Sequence, residues 1–220
     1  MEISEQQIQQ ALVVLRNGGT VVFPTETAYG IGADATNTRA VERVAAIKGR
    51  DAAKTMPLIV ADLKMAERYM ELSDRLRALA MDFWPGPLTI VGKAKPRGAG
   101  SLPAGRQGAS GGNGTDLSPS VMRENGTIAL RVSSHPVAAA LTKALGVPLV
   151  ATSANRAGES SCFSVEAARQ QLDSQHLQPD LYLDGGVLPR SKPSTIIKQV
   201  GREIEVVRQG SAILQRRHLA

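Results

Sequence analysis

Apolar residues recur at helical spacing from the start of the chain, with Ile8, Ala11, Leu12 and Leu15 on one face. Ser4 with Gln7 makes a capping-box pattern and Gly18-Gly19 supplies a stop, which predicts a helix from about Glu5 to Asn17. The pattern then changes to a short β-branched and apolar run, Thr20 to Phe23, ended by Pro24. It predicts a buried strand that delivers Thr25 to Tyr29 at its carboxyl end, where α/β sheets place ligands. Val41, Val44, Ala45 and Ile47 mark the next helix, capped near Asn37 or Thr38, with Lys48 and Arg50 at or just beyond its last turn. Strand Pro57 to Val60 comes after it.

Two helical stretches follow Asp62 and Ser73, the second with Leu76, Leu79, Ala80 and Phe83 facing inward, before Trp84-Pro85-Gly86-Pro87 forces a turn. The alternation continues through strand Leu88 to Gly92, strand Ile128 to Val132, a helix begun by Pro136, strand Leu149 to Thr152, a helix capped by Ser164 and strand Leu181 to Leu183. Strands Ser194 to Lys198 and Ile204 to Arg208 are separated only by a turn around Gly201, which suggests an antiparallel pair. The expectation is therefore a layered α/β fold with one mixed sheet. Residues 94–126 lack periodicity and are rich in Gly, Ser and Pro, so they are expected to form a mobile loop or tolerated insertion without a core of its own. No repeat or linker interrupts the rest, and residues 1–220 are expected to form a single domain.

Composition narrows the function. The 220 residues are 42% apolar, enough for a sizeable core. Lys and Arg number 26 against 20 acids, a net charge of +6 that favours polyanions such as ATP or RNA. An aromatic content of 3% argues against a single-strand binder built on stacked rings. Cys162 stands alone, no stretch resembles a signal peptide, and no apolar run approaches a membrane span, so a reducing cytoplasm is the expected setting. There is no Walker loop, no G-x-G-x-x-G after a strand and no Cys/His set with metal-ligand spacing. Ser153 lacks the G-x-S-x-G context of a hydrolase, and nothing ties His135 or His176 to it.

Several segments carry candidate chemistry. Pro24-Thr25-Glu26-Thr27-Ala28-Tyr29-Gly30 places hydroxyls and a carboxylate at a strand-to-loop junction, suited to orienting a small polar molecule or simply to closing a turn. Lys48-Gly49-Arg50 with Lys54 gathers cations that suit phosphates, or form a solvated helix end. Thr152-Ser153-Ala154-Asn155 follows a buried strand and offers small polar groups for phosphate or nucleotide. Arg131 lies within an apolar run, where its charge requires a cleft or an ion partner. Ser194-Thr195 and Arg208 stand at strand ends.

Taken in order, Pro24 to Gly30, Lys48-Gly49-Arg50, Trp84-Pro85-Gly86-Pro87-Leu88-Thr89, Ser153-Ala154-Asn155 and Pro193-Ser194-Thr195 resemble the YrdC-like family of threonylcarbamoyl-AMP synthases. The resemblance runs from about Ile8 to Gly210. It implies a twisted mixed sheet flanked by helices with a large basic cavity, in the single-domain form, since no long C-terminal domain follows Arg208. It implies a reaction of L-threonine, bicarbonate and ATP, with Mg2+ carried by ATP and no protein metal site, serving tRNA modification. By resemblance Thr25, Thr27, Lys54, Arg131, Ala151 and Ser194 face threonine. Lys48, Arg50, Thr127, Ser153, Asn155, Ser161 and Arg208 face ATP, with Lys48 and Arg50 as catalytic cations. tRNA and a downstream threonylcarbamoyl-transferase are expected partners, the chain being a monomer or homodimer. The chain departs from the family at Lys54-Thr55-Met56-Pro57-Leu58, which replaces a Lys-Pro-Leu-Pro-Leu kind of segment, and in the longer, Gly-rich 94–126 region. Two other readings fit the charge or the fold: a double-stranded RNA-binding module without catalysis, and a paralogue acting on another carbamoyl or acyl substrate.

Overall fold

A computed structural model describes residues 3–49, 56–95, 117–173 and 177–219. Its helices begin where short polar side chains can accept the first free backbone N–H groups. Ser4 and Gln7 form a reciprocal capping box at α1, Glu5–Arg16. Asn37 caps α2, Thr38–Ile47, and Asp62 caps α3, Leu63–Tyr69. Ser73 caps α4, Asp74–Phe83. His135, through its ring nitrogen, caps α5, Pro136–Leu145, and Ser164 caps α6, Val165–Leu172. A short α7, Arg216–Leu219, lies near the end. No helix among the described residues is long and apolar enough to cross a membrane.

The strands form two sheets where the sequence pattern suggested one. In the smaller, β1 (Val21–Pro24) pairs antiparallel with β2 (Tyr29–Gly32) and parallel with β8 (Leu181–Tyr182), and β2 pairs antiparallel with β7 (Thr152–Ser153). The larger has the order β10-β9-β4-β5-β3-β6. Its members are β3 (Leu58–Ile59), β4 (Leu88–Lys93), β5 (Thr127–Arg131), β6 (Leu149–Val150), β9 (Thr195–Val200) and β10 (Glu203–Arg208). Both sheets mix parallel and antiparallel pairs, and β9 and β10 form the expected hairpin.

The division falls inside the run Leu149 to Thr152, which reads as one strand in sequence. Leu149 and Val150 pair with β3 in the large sheet, whereas Thr152 and Ser153 pair with β2 in the small one. Ala151 is the residue between, its N–H donating to Pro57 O at 2.9 Å. The two sheets touch at this seam: Val150 N–H donates to Ala33 O at 2.9 Å, and a Cβ on Gly32 would lie 2.1 Å from Val150 O. Only a residue without a side chain permits that approach.

Two apolar clusters support the sheets. Leu12 and Leu15 of α1 pack with Leu141 and Leu145 of α5 over Phe23 and Leu149. The larger cluster joins Val41, Val44 and Ile47 of α2 to Leu58, Leu130 and Leu76. Leu117 and Val121 also enter it, 3% and 0% exposed. They flank and end a 3-10 turn, Pro119–Val121, tied to α2's approach by Ser118 N–H to Ala35 O at 2.8 Å. Two apolar residues spaced four apart are enough to dock this end of the 94–126 region on the main core. Residues 96–116 lie outside the described residues.

Candidate active site

The turn after β1 is closed by its own hydroxyls. Thr25 Oγ1 donates to Ala28 O at 2.6 Å and accepts the N–H groups of Thr27 and Ala28 at 3.2 and 3.3 Å. A hydroxyl has one proton, and Thr25 has spent it on Ala28 O. In the 3.1 Å contact between Thr25 Oγ1 and Thr27 Oγ1, Thr27 is therefore the donor. Thr27 Oγ1 accepts from Arg131 Nη1 at 3.5 Å and keeps its other lone pair.

Arg131 ends β5 with 6% exposure. Its guanidinium meets Glu26 Oε1 at 2.5 Å, so a carboxylate on a turn of the small sheet neutralises a cation of the large one. The second Glu26 oxygen accepts from Ser133 Oγ, which itself accepts His135 N–H at 3.2 Å. Burial pulls Arg131 below the usual guanidinium value, and Glu26 opposes that shift. Burial also pulls His135 below its ordinary value, again against the pull of Glu26.

Ser194 precedes β9 and is held from two sides. Thr89 Oγ1 donates to Ser194 Oγ at 2.8 Å. Arg208, ending β10, donates to Ser194 O through Nε and Nη2 at 3.1 and 2.8 Å and to Ser194 Oγ at 3.2 Å. Ser194 accepts both side-chain contacts, which leaves its own proton for a ligand. Behind it, a Cβ on Gly210 would lie 2.0 Å from Pro193 O, so this glycine lets the end of the hairpin close on the Ser194 segment. Arg208 is pulled below its usual value first by lost hydration and second by the nearby charge of Arg131.

These groups surround a cavity of about 250 Å³ at the seam between the sheets. Thr25, Thr27, Arg131, Ala151, Ser153, Ser194 and Arg208 line it, so seven residues scattered over the sequence share one space. Among the described residues every charged group in the lining is an arginine: Arg123, Arg131 and Arg208. Thr89 and Arg123 were not singled out individually from sequence. Thr89 had a signal, its place in the Trp84-to-Thr89 segment, whose turn is fixed by Trp84 Nε1 donating to Leu88 O at 2.7 Å. Arg123 had none.

Other expected site residues lie elsewhere. Lys48 is 2% exposed, and its ammonium donates to the backbone oxygens of Ser153 and, at 2.6 Å, Asn155, while Lys48 O accepts Ala157 N–H at 2.9 Å. Lys48 is thus a staple between the end of α2 and the 153–157 loop and does not line the cavity. Carbonyl oxygens of the 153–157 loop hold its charge. Asn155 donates through Nδ2 to the carbonyls of Arg156 and Glu159 at 2.7 and 2.8 Å, and its Oδ1 is buried without a hydrogen bond. Thr127 Oγ1 donates to Asn125 Oδ1 at 2.7 Å, and Ser161 is exposed. None of these three lines the cavity. Arg50 and Lys54 lie outside the described residues. Among the described residues no group of three or more His, Cys, Asp or Glu side chains is placed to hold a metal ion.

An arginine-lined cavity with oriented hydroxyls, at the junction of two sheets in an α/β fold, is suited in charge and polarity to a small polar anion. The model of the Sua5/YciO/YrdC family, described as "Telomere recombination", matches residues 13–210, and the chain belongs to that family. It is similar to the threonylcarbamoyl-AMP synthase of Chromobacterium violaceum, 37% identical over 190 residues that cover 86% of each chain. Among solved structures it resembles P. abyssi Sua5 complexed with L-threonine, with a TM-score of 0.80 and 28% identity. That match covers 96% of this chain but 56% of the other, so the chain spans little more than half the length of that Sua5. E. coli YciO matches with a TM-score of 0.77 and 28% identity, over 94% of this chain and 90% of its own.

Proposed function

We propose that the chain acts as a threonylcarbamoyl-AMP synthase, joining L-threonine, bicarbonate and ATP into threonylcarbamoyl-adenylate with release of pyrophosphate, for tRNA modification. The observation that carries this reading is the cavity's polarity: a buried arginine held by Glu26, faced by hydroxyls of fixed direction, with no carboxylate in the lining among the described residues. An amino acid carrying a carboxylate, an amine and a hydroxyl has a partner there for each group. The names of relatives at this identity and coverage support the same substrate set.

Arg131 has one N–H edge on Glu26 and donates its remaining N–H groups to the threonine carboxylate. The unspent proton of Ser194 and the remaining lone pair of Thr27 orient the substrate's polar atoms. Bicarbonate gives carbon dioxide and hydroxide, the neutral threonine amine adds to the carbon dioxide, and the hydroxide takes the proton that the nitrogen loses, leaving a carbamate and water. A carbamate oxygen then attacks the α-phosphorus, the bond from that phosphorus to the bridging oxygen breaks, and pyrophosphate leaves with the electron pair. Two anions meet in this step, so fixed positive charge and positioning supply the rate enhancement, without a covalent enzyme intermediate. Magnesium enters with the triphosphate and neutralises part of its charge.

Incubation with ATP, magnesium, bicarbonate and labelled threonine is expected to give pyrophosphate and the labelled carbamoyl-adenylate, each dependent on threonine. Pyrophosphate release that ignores threonine would overturn the substrate assignment. Binding of double-stranded RNA without any turnover would favour a non-catalytic module.

A further inference from the structure

We propose that Thr89 is a positioning residue for the threonine substrate: it acts through Ser194, fixing that hydroxyl as a donor which only a lone pair of the ligand can meet. The inference rests on the reaction assigned above and deepens it by naming what sets one recognition point of the site. Thr89 is the second residue of β4, 1% exposed, and lines the cavity. The bond to Ser194 Oγ at 2.8 Å is its one side-chain hydrogen bond among the described residues. Valine has nearly the same shape and suits a buried strand better, so packing alone does not call for a hydroxyl here.

The backbone of Ser194 is fixed without Thr89. Ser211 N–H donates to Pro193 O and Thr195 N–H to Pro87 O, each at 2.9 Å, while Arg208 holds Ser194 O through Nε and Nη2. What remains is rotation about the Cα–Cβ bond among its staggered positions. Thr89 Oγ1 at 2.8 Å and Arg208 Nη2 at 3.2 Å hold Ser194 Oγ in one of them. Both donate, so both lone pairs of the oxygen are taken and it has one proton to give. A carboxylate or hydroxyl oxygen can take that proton. An ammonium, which has only N–H groups to offer, finds no acceptor there.

Sheet order puts Thr89 where it can act on Ser194. Within the large sheet β4 lies between β9, which Ser194 precedes, and β5, which Arg131 ends. Ile90 pairs with Leu130, and the same antiparallel register brings Thr89 beside Arg131. Neighbouring strands lie about 4.8 Å apart, so β9 and β5 are separated by roughly 10 Å with Thr89 between them. Arg131 on one side takes the amino-acid carboxylate, and Ser194 on the other offers its proton to the same cavity.

The test is a double-mutant cycle over the wild type, Thr89→Val, Ser194→Ala and the pair, with threonine binding read by titration calorimetry and KM values by turnover. Thr89→Val is expected to raise the threonine dissociation constant and KM about threefold to fivefold, and Ser194→Ala about tenfold. The double variant should lose no more than Ser194→Ala alone, and the KM for ATP should stay at its wild-type value. Thr89→Ser, which restores the hydroxyl without the methyl, should return threonine affinity to within about twofold of wild type. A merely structural hydroxyl would lower the affinity for both substrates together with the melting temperature, and its cost would add to that of Ser194→Ala. That additivity, or wild-type threonine affinity in Thr89→Val, overturns the proposal. Coupled threonine binding in a protein that makes no adenylate supports the positioning role and overturns the reaction assigned above.

Discussion

Lys48 and Arg131 are both buried cations, 2% and 6% exposed, yet they lie in regions built to different ends. Lys48 caps the end of α2 and donates to the backbone carbonyls of Ser153 and Asn155. Arg131 ends a strand, is neutralised by one side-chain carboxylate, and still borders the cavity. A buried charge must be satisfied in either case. What satisfies it, and whether any donor remains, separates a staple from a binding group.

Removing Arg131 gives the largest effect, because Arg131→Ala leaves the largely buried Glu26 carboxylate, 13% exposed, without its cation. The expected destabilisation is about 3–5 kcal/mol, read by urea denaturation, together with loss of threonine-dependent turnover. Retention of either property would place the substrate carboxylate elsewhere. Lys48→Met, which keeps the aliphatic bulk, leaves two carbonyls without their donor and is expected to cost roughly 2–4 kcal/mol. In the fraction that remains folded, threonine affinity should stay within twofold of wild type by calorimetry. A large drop in nucleotide affinity with no loss of stability would reverse the comparison and make Lys48 a ligand group.

Ser194→Ala is milder. It deletes the one proton that Thr89 and Arg208 leave available, and the KM for threonine is expected to rise about tenfold, the equivalent of roughly 1.4 kcal/mol, with the KM for ATP unchanged. The smallest effect concerns pH. Burial holds folded His135 below its ordinary value of 6.5, so between the two values the unfolded chain binds more protons than the folded one. Stability therefore rises with pH in that window, is complete above about 6.5, and declines as acid takes the pH down toward the folded value. His135→Asn, which retains a capping side chain, should flatten the dependence of melting temperature on pH there. An unchanged slope would assign it to another group.

Local sequence set most of the helices. Ser4, Asn37, Asp62, Ser73 and Ser164 were each read at or beside a start, and each caps a helix through its own side chain. The reason is that a cap is satisfied within three or four residues and needs nothing distant. β2 was not read as a strand because Tyr29-Gly30-Ile31-Gly32 contains two glycines, and only pairing with β1 and β7 makes it one. The seam at Ala151 was hidden for a related reason: an apolar run shows burial but not which of two sheets will bury it.

The same division holds for the site. Motif order alone brought out Thr25, Thr27, Arg131, Ala151, Ser153, Ser194 and Arg208, all of which line one cavity. It also brought out Lys48, Thr127, Asn155 and Ser161, which do not, because a sequence shows that a polar group is present and not what it is bonded to. By itself, then, the sequence determined the family, the α/β class and the polar residues available for chemistry. Only the tertiary structure decided that Lys48 is bound to carbonyls, that Glu26 neutralises Arg131, and that Thr89 holds Ser194. Those outcomes depend on contacts between residues far apart in the chain, and a side chain's remaining hydrogen-bonding capacity is known only after its neighbours have taken their share.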